Sequence, residues 1–142
     1  MAMPQLVSDI MTKDVVSVSE DQTLTNLLDS MHTMHFRHTP VIDDGRLVGL
    51  LTERDLLRMS SSSLLPHRES NAFLQERFHV RDVMTKDVAT VSPSTALRRA
   101  GELMLEKRIG CLPVVDAKNF LVGIVTTSDF LKIAISLLPR GP

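Results

Sequence analysis

The sequence predicts an α+β fold built from two tandem β-α-β-β-α motifs packed about an internal pseudo-twofold. Three observations carry this. The segment from Val7 to Asp43 aligns without a gap on Val80 to Asp116, and one inserted residue later Leu47 to Leu57 aligns on Leu121 to Leu131. Within each copy, short runs rich in β-branched residues alternate with stretches whose apolar residues recur at helical spacing. Each copy also carries a hairpin signal, with turn residues set between two apolar runs. A chain built as two copies is read as a pair, so a site in one copy should have a counterpart in the other.

The elements follow in order. Ser8 leading into Asp9-Ile10-Met11, and Arg81 leading into Asp82-Val83-Met84, each predict a short helical turn. Val15 to Val18 and Val88 to Val91 then read as strands. The polar run Ser19 to Thr23 opens an amphipathic helix with Leu24, Leu27, Leu28, Met31 and Met34 on one face; Ser92-Pro93 opens its counterpart with Leu97, Ala100, Leu103 and Met104. Thr39 to Asp43 and Leu112 to Asp116 start the hairpins, turning at Asp44-Gly45 and at Ala117-Lys118-Asn119. A second helix closes each copy, from Glu53 to about Met59 and from Thr127 to about Leu138. The motifs therefore span residues 7–60 and 80–138. Residues 61–79, entered through the serine run Ser60 to Ser63, read as a linker that is helical in part around Phe73, Leu74, Arg77 and Phe78. The plainer reading is a simple join; the alternative has its Phe and Arg side chains covering a ligand cleft.

Composition narrows the class. With 142 residues, 43% hydrophobic and 23% charged, the chain is large enough for one ordinary core, whereas a single copy would be marginal alone. A net charge of -1 supplies no field to hold a polyanion, so nucleic acid is not expected as a partner. Cys111 is the single cysteine, which forbids an intramolecular disulfide and suits a reducing compartment. No secretory leader pattern and no apolar run near the ~20 residues of a bilayer span is present, so no membrane insertion and a cytoplasmic location are expected. Nucleophile elbow, Walker loop and metal triad are all missing, which argues against an enzyme.

The most informative local pattern is Gly49-Leu50-Leu51-Thr52-Glu53-Arg54-Asp55, answered by Gly123-Ile124-Val125-Thr126-Thr127-Ser128-Asp129. An apolar strand ends at a Thr able to cap a helix, and an Asp follows three residues on, as in a capping box worth about 1 kcal/mol. That reading needs no ligand. Yet Glu or Gln is the usual partner at that position, and both copies place the shorter Asp behind a Gly that permits close approach. A strand-to-helix turn also offers free N–H groups to a phosphate, and a carboxylate accepts the two hydroxyls of a ribose diol.

The ordered repeat of V-x-D-[IV]-M-T-x-D-V, an amphipathic helix, P-V-[VI]-D and then G-h-h-T-x-x-D (h apolar) strongly resembles the CBS domain, named after cystathionine β-synthase. Two copies resemble one CBS pair, or Bateman module. The resemblance implies a regulatory module that binds an adenosine derivative (AMP, ADP, ATP, NAD or S-adenosylmethionine) in clefts between its halves and signals to a separate enzyme, channel or transporter. Carried across, a first site would use Thr12, Val16, Phe36, Arg37, His38, Pro40, Thr52, Arg54 and Asp55. A second would use Thr85, Ala89, Ile109, Gly110, Cys111, Pro113, Thr126, Ser128 and Asp129. Asp55 and Asp129 are the ribose ligands on this reading, and Arg37, His38 and Arg54 make the first site the more cationic. The ligand is regulatory; no catalytic cofactor is implied.

Three further features have plainer readings. His32, His35 and His38 stand at intervals of three, a spacing able to hold zinc, but their counterparts Leu105, Arg108 and Cys111 break the repeat; polar residues near a helix C-terminus are the preferred reading. Met11, Met31, Met84 and Met104 fill core positions. The last helix is apolar nearly all round, through Phe130, Leu131, Ile133, Ala134, Ile135, Leu137 and Leu138, which predicts a homodimer through its second face. The competing function is a ligand-free dimerisation or docking module in which Thr and Asp serve only as caps.

Overall fold

The computed structural model describes residues 3–34, 36–60 and 76–141. Its contacts divide the chain into two compact units, one of residues 16–88 and the other of residues 1–15 with 89–142. Neither unit coincides with a sequence repeat. Each takes the sheet and two helices of one copy together with the opening segment of the other.

In the unit of residues 16–88, β1 (Val18–Ser19) runs parallel to β2 (His38–Asp43), which pairs antiparallel with β3 (Arg46–Thr52). The β2–β3 turn is tight because Asp44 and Gly45 both adopt positive φ, 53° and 82°, the geometry that Asp-Gly favours. Two helices of this copy, α2 (Leu27–Met34) and α3 (Glu53–Ser60), belong to the unit, as does α4 (Val80–Val83), the short opening helix of the second copy. Leu24, Leu27, Met31, Val41, Leu51, Leu56 and Val80 form the core. The amphipathic helix begins later than its spacing predicts: Asn26 sits at φ 61°, so Leu24 is buried from the preceding loop, held by its N–H donating to the Phe78 carbonyl at 3.1 Å. Phe78 packs against this core, whereas Ser61, Phe73 and Leu74 lie outside the described residues.

In the other unit, β4 (Cys111–Val115) and β5 (Leu121–Thr126) form the hairpin, with α5 (Leu97–Lys107) and α6 (Thr127–Leu137). Its exchanged piece is α1 (Val7–Ile10), whose fully buried Val7 joins Val91, Leu97, Ala100, Met104, Leu112, Val114 and Val125. The predicted strands at Val15 to Val18 and Val88 to Val91 shrink to β1 and to one parallel bridge between Val91 and Val114. The reason is the crossing: these runs carry the chain from one unit to the other, so only their far ends find a sheet. On the exposed side of α5, Arg98 Nε lies 3.3 Å from Glu102 Oε1, an i, i+4 ion pair. On α6, Phe130 and Ile133 pack on the core, while Leu131 and Ile135 are each 60% exposed and Leu138, the residue that caps the helix, is 64% exposed.

The exchanged pieces are fastened the same way in both units. Thr85 and Leu50 trade both backbone hydrogen bonds at 2.9 Å, and Thr12 and Ile124 do so at 2.9 and 3.0 Å. Gly49 and Gly123 make room for this. A Cβ on Gly49 would stand 2.9 Å from the Thr85 carbonyl oxygen and closer still to Met84 Sδ; on Gly123 it would stand 2.7 Å from Met11 Sδ. The close approach anticipated at these glycines is therefore made by the protein's own chain.

Candidate functional site

Strand β3 ends at Thr52 and α3 begins at once. The Thr52 N–H donates to Asp55 Oδ2 and the Asp55 N–H donates to Thr52 Oγ1, both at 3.1 Å, a closed capping box. At the equivalent β5–α6 junction the Thr126 N–H and hydroxyl both donate to Asp129 Oδ2, at 2.8 and 3.4 Å. In each case a single carboxylate oxygen does the capping. Among the described residues, none bonds the other oxygen of Asp55 or of Asp129. Capping and ligand binding are therefore not exclusive uses of this Asp.

The segment entering each hairpin is tied to the same junction. The Glu53 N–H donates to the Arg37 carbonyl at 3.0 Å, and the Thr127 N–H to the Gly110 carbonyl at 3.1 Å. His38 faces Thr52 across the hairpin, as Cys111 faces Thr126. Half-buried His38 has a pKa below the ordinary imidazole value, first because burial disfavours its charged form and then because of Arg37, with Asp55 acting the other way. Cys111 is 2% exposed, and burial with the nearby Asp129 carboxylate pushes its thiol up to about 12. Such a thiol holds its proton and is no nucleophile.

The remaining predicted residues fall as follows. Arg37, Arg54, Ser128, Thr12, Thr85 and Val16 are exposed; Phe36, Ile109, Gly110 and Ala89 are half-buried. Pro40 and Pro113 are fully buried in their strands and present no surface. The grouping of the two threonines differs from the one read in the sequence. The resemblance groups Thr12 with Thr52 and Asp55, and Thr85 with Thr126 and Asp129. The backbone instead joins Thr85 to Leu50, two residues before Thr52, and Thr12 to Ile124, two residues before Thr126. Val16 and Ala89 stay in the units of the sites they were assigned to. A pairing across more than thirty residues has no local signature; the one sign of it was a glycine repeated at the same place in both copies.

Of the histidine trio, His35 lies outside the described residues, and among those described no three His, Cys, Asp or Glu side chains gather as metal ligands do. His32 Nε2 is 3.4 Å from Glu53 Oε1.

This junction, a T-x-x-D cap beside a P-V-[VI]-D strand, occurs twice, and the CBS domain family model matches both occurrences, over residues 7–62 and 80–136. The chain belongs to the CBS domain family. It is 34% identical over 142 residues to a CBS domain-containing protein of Dictyostelium discoideum, a match covering 99% of this chain and 98% of that one. Against protein MJ1225 of Methanocaldococcus jannaschii, identity is 32% over 130 residues, covering 90% of this chain and 46% of the relative, so the chain spans about half of that protein. The MJ1225 crystal structure superposes with a TM-score of 0.80. CBSX2, solved in complex with AMP, superposes with a TM-score of 0.80 at 30% identity, covering 96% of this chain and all of that one. This chain is thus a pair of tandem CBS motifs in a mixed α+β fold, and CBS pairs are regulatory modules. No described helix is long and apolar enough to cross a membrane.

Proposed function

We propose that this CBS pair senses an adenosine derivative, one of AMP, ADP, ATP, NAD or S-adenosylmethionine, and passes its state to a separately encoded enzyme, channel or transporter. The carrying observation is the capping Asp of each unit, which keeps one carboxylate oxygen without a partner among the described residues, while the exchanged segment pairs an exposed Thr with the strand residue two positions before the capping Thr. That oxygen suits a ribose hydroxyl. The AMP complex of CBSX2, alike over nearly its whole length, supports the ligand class. A buried, fully protonated Cys111 supports regulation rather than catalysis, and a lone thiol suits the cytoplasm. Ligand shifts the module only by binding two of its states unequally.

The test is a thermal-shift panel of the five compounds with guanosine analogues as controls. A ligand at 100 times its Kd stabilises the native state by about 2.7 kcal/mol. A rise for one adenosine compound that disappears in Asp55→Ala or Asp129→Ala is the expected outcome. Those variants lose about 1 kcal/mol of capping in any case. The closed box at Thr52 and Asp55 favours the docking reading to one extent: it fully accounts for that helix start without a ligand. No rise with any compound would leave that reading standing. The exposed apolar residues Leu131, Ile135 and Leu137 of α6 support a homodimer; light scattering at micromolar concentration should give twice the chain mass, and a monomer would refute it.

A further inference from the structure

The two exchanged segments are nearly the same peptide. Residues 7–15 and 80–88 differ only at Ser8 against Arg81 and at Ile10 against Val83. The slots that receive them are matched bond for bond. In the unit of residues 16–88 the Val80 N–H donates to the Gln22 carbonyl at 2.8 Å, the Arg81 N–H to the Glu20 carbonyl at 3.1 Å, and the Leu24 N–H to the Phe78 carbonyl at 3.1 Å. In the other unit, at the equivalent repeat positions, the N–H of Val7 donates to the Thr95 carbonyl at 2.9 Å, that of Ser8 to Pro93 at 3.0 Å, and that of Leu97 to Gln5 at 2.8 Å. Val7 and Val80 are both fully buried. The main chain and its anchoring valine therefore do not distinguish one segment from the other.

The side chains beside the slots do. Arg81 forms an ion pair with Asp21, next to Glu20. Their counterparts are Ser8, Ser94 and Pro93, and the Ser94 hydroxyl is shared with that of Ser92 at 3.1 Å. The extra cation is thus on the one segment, and the acids flank the one slot, that are found together. Lys13 and Lys86, present in both segments, do not discriminate. Phe78 adds a difference of shape, packing on the core where Gln5 is exposed. Charge is the part that can be exchanged without touching a core.

We infer that Asp21 and Arg81 form a pairing key: the slot of residues 16–88 recognises an opening segment by its cation, whether that segment comes from the same chain or from a second copy, and disfavours the neutral one. Strand exchange between copies is a low-cost route to assembly, and two matched slots invite it unless something sorts the segments.

Disulfide trapping in the full chain tests this. Leu6 faces Ala96 and His79 faces Thr23 in antiparallel bridges whose hydrogen bonds are made by the flanking residues, the closer kind of pair, which suits a disulfide. None of these four is buried. A protein with Leu6→Cys, Ala96→Cys and Thr23→Cys reports where the first segment sits: a bond between positions 6 and 96 for its present slot, between 6 and 23 for the other. Mass separates bonds within one chain from bonds between two copies. Buried Cys111 keeps its proton and stays out of the exchange.

In a glutathione buffer at equilibrium the bond between 6 and 96 should predominate. Exchanging the key, Ser8→Arg with Arg81→Ser, should raise the proportion of the bond between 6 and 23 about fivefold or more, the factor to which about 1 kcal/mol from an exposed ion pair amounts. Arg81→Asp should also raise it, by repulsion from Asp21, and Asp21→Arg added to Arg81→Asp should bring it back. That second pair of variants decides the matter if the key-exchanged protein fails to fold. A proportion unmoved by Arg81→Asp, or one that stays raised once Asp21→Arg is added, would overturn the inference, whatever ligand the module binds.

Discussion

His38 illustrates how one side chain sets a pH response. Its folded pKa lies below the 6.5 of a free imidazole, because burial and Arg37 both disfavour the charged form. The unfolded chain therefore binds the proton more readily. Stability contributed by neutral His38 is whole above pH 6.5 and is lost as pH falls through the lower folded value. Without ligand, the melting temperature should drop between pH 7.5 and 5.5, and less steeply in His38→Gln; equal slopes in the two proteins would show that His38 carries none of it. Cys111, the counterpart in the second copy, contributes nothing over that range, since its thiol titrates near 12.

At the scale of elements, what could be read in advance was what neighbouring residues decide. Asp44-Gly45 announces its hairpin because both positions need positive φ, and Thr52 with Asp55 announces a helix start because the cap closes within four residues. Val15 to Val18 and Val88 to Val91 promise more strand than forms, because β-branched residues fit any extended segment, including one that crosses between units. Gly49 was legible as a close approach but not as to what approached. Its role is checkable. In Gly49→Ala the new methyl would meet Met84 and the Thr85 carbonyl, so we expect a loss of about 1–3 kcal/mol, part of it recovered in Gly49→Ala with Met84→Ala. Recovery is incomplete because the backbone oxygen remains; a neutral Gly49→Ala in urea unfolding would contradict this packing.

For the molecule as a whole, the exchange of opening segments makes its first residues structural. Val7 is fully buried in the unit that holds residues 89–142, the Val7 N–H donates to the Thr95 carbonyl at 2.9 Å, and the Leu97 N–H donates to the Gln5 carbonyl at 2.8 Å. Removing residues 1–13 should therefore strip amide protection from Ile124 and Leu97, over eighty residues away, while the β2–β3 hairpin keeps its own. Hydrogen exchange followed residue by residue reads this directly. Protection unchanged at Ile124 would mean the opening segment is dispensable. Removing residues 139–142, of which the described ones belong neither to a core cluster nor to the hydrophobics packed against one, should alter neither.

The exchange also bears on descent. A single repeat carries a sheet at its centre and, at its start, a segment shaped for another copy's sheet. An ancestral gene encoding one repeat would have yielded chains that completed themselves by trading these starts in pairs. Duplication and fusion would then have turned a trade between molecules into one within a chain, freeing the copies to diverge. Arg37, His38 and Arg54 against Gly110, Cys111 and Ser128 are among the positions where the copies now differ.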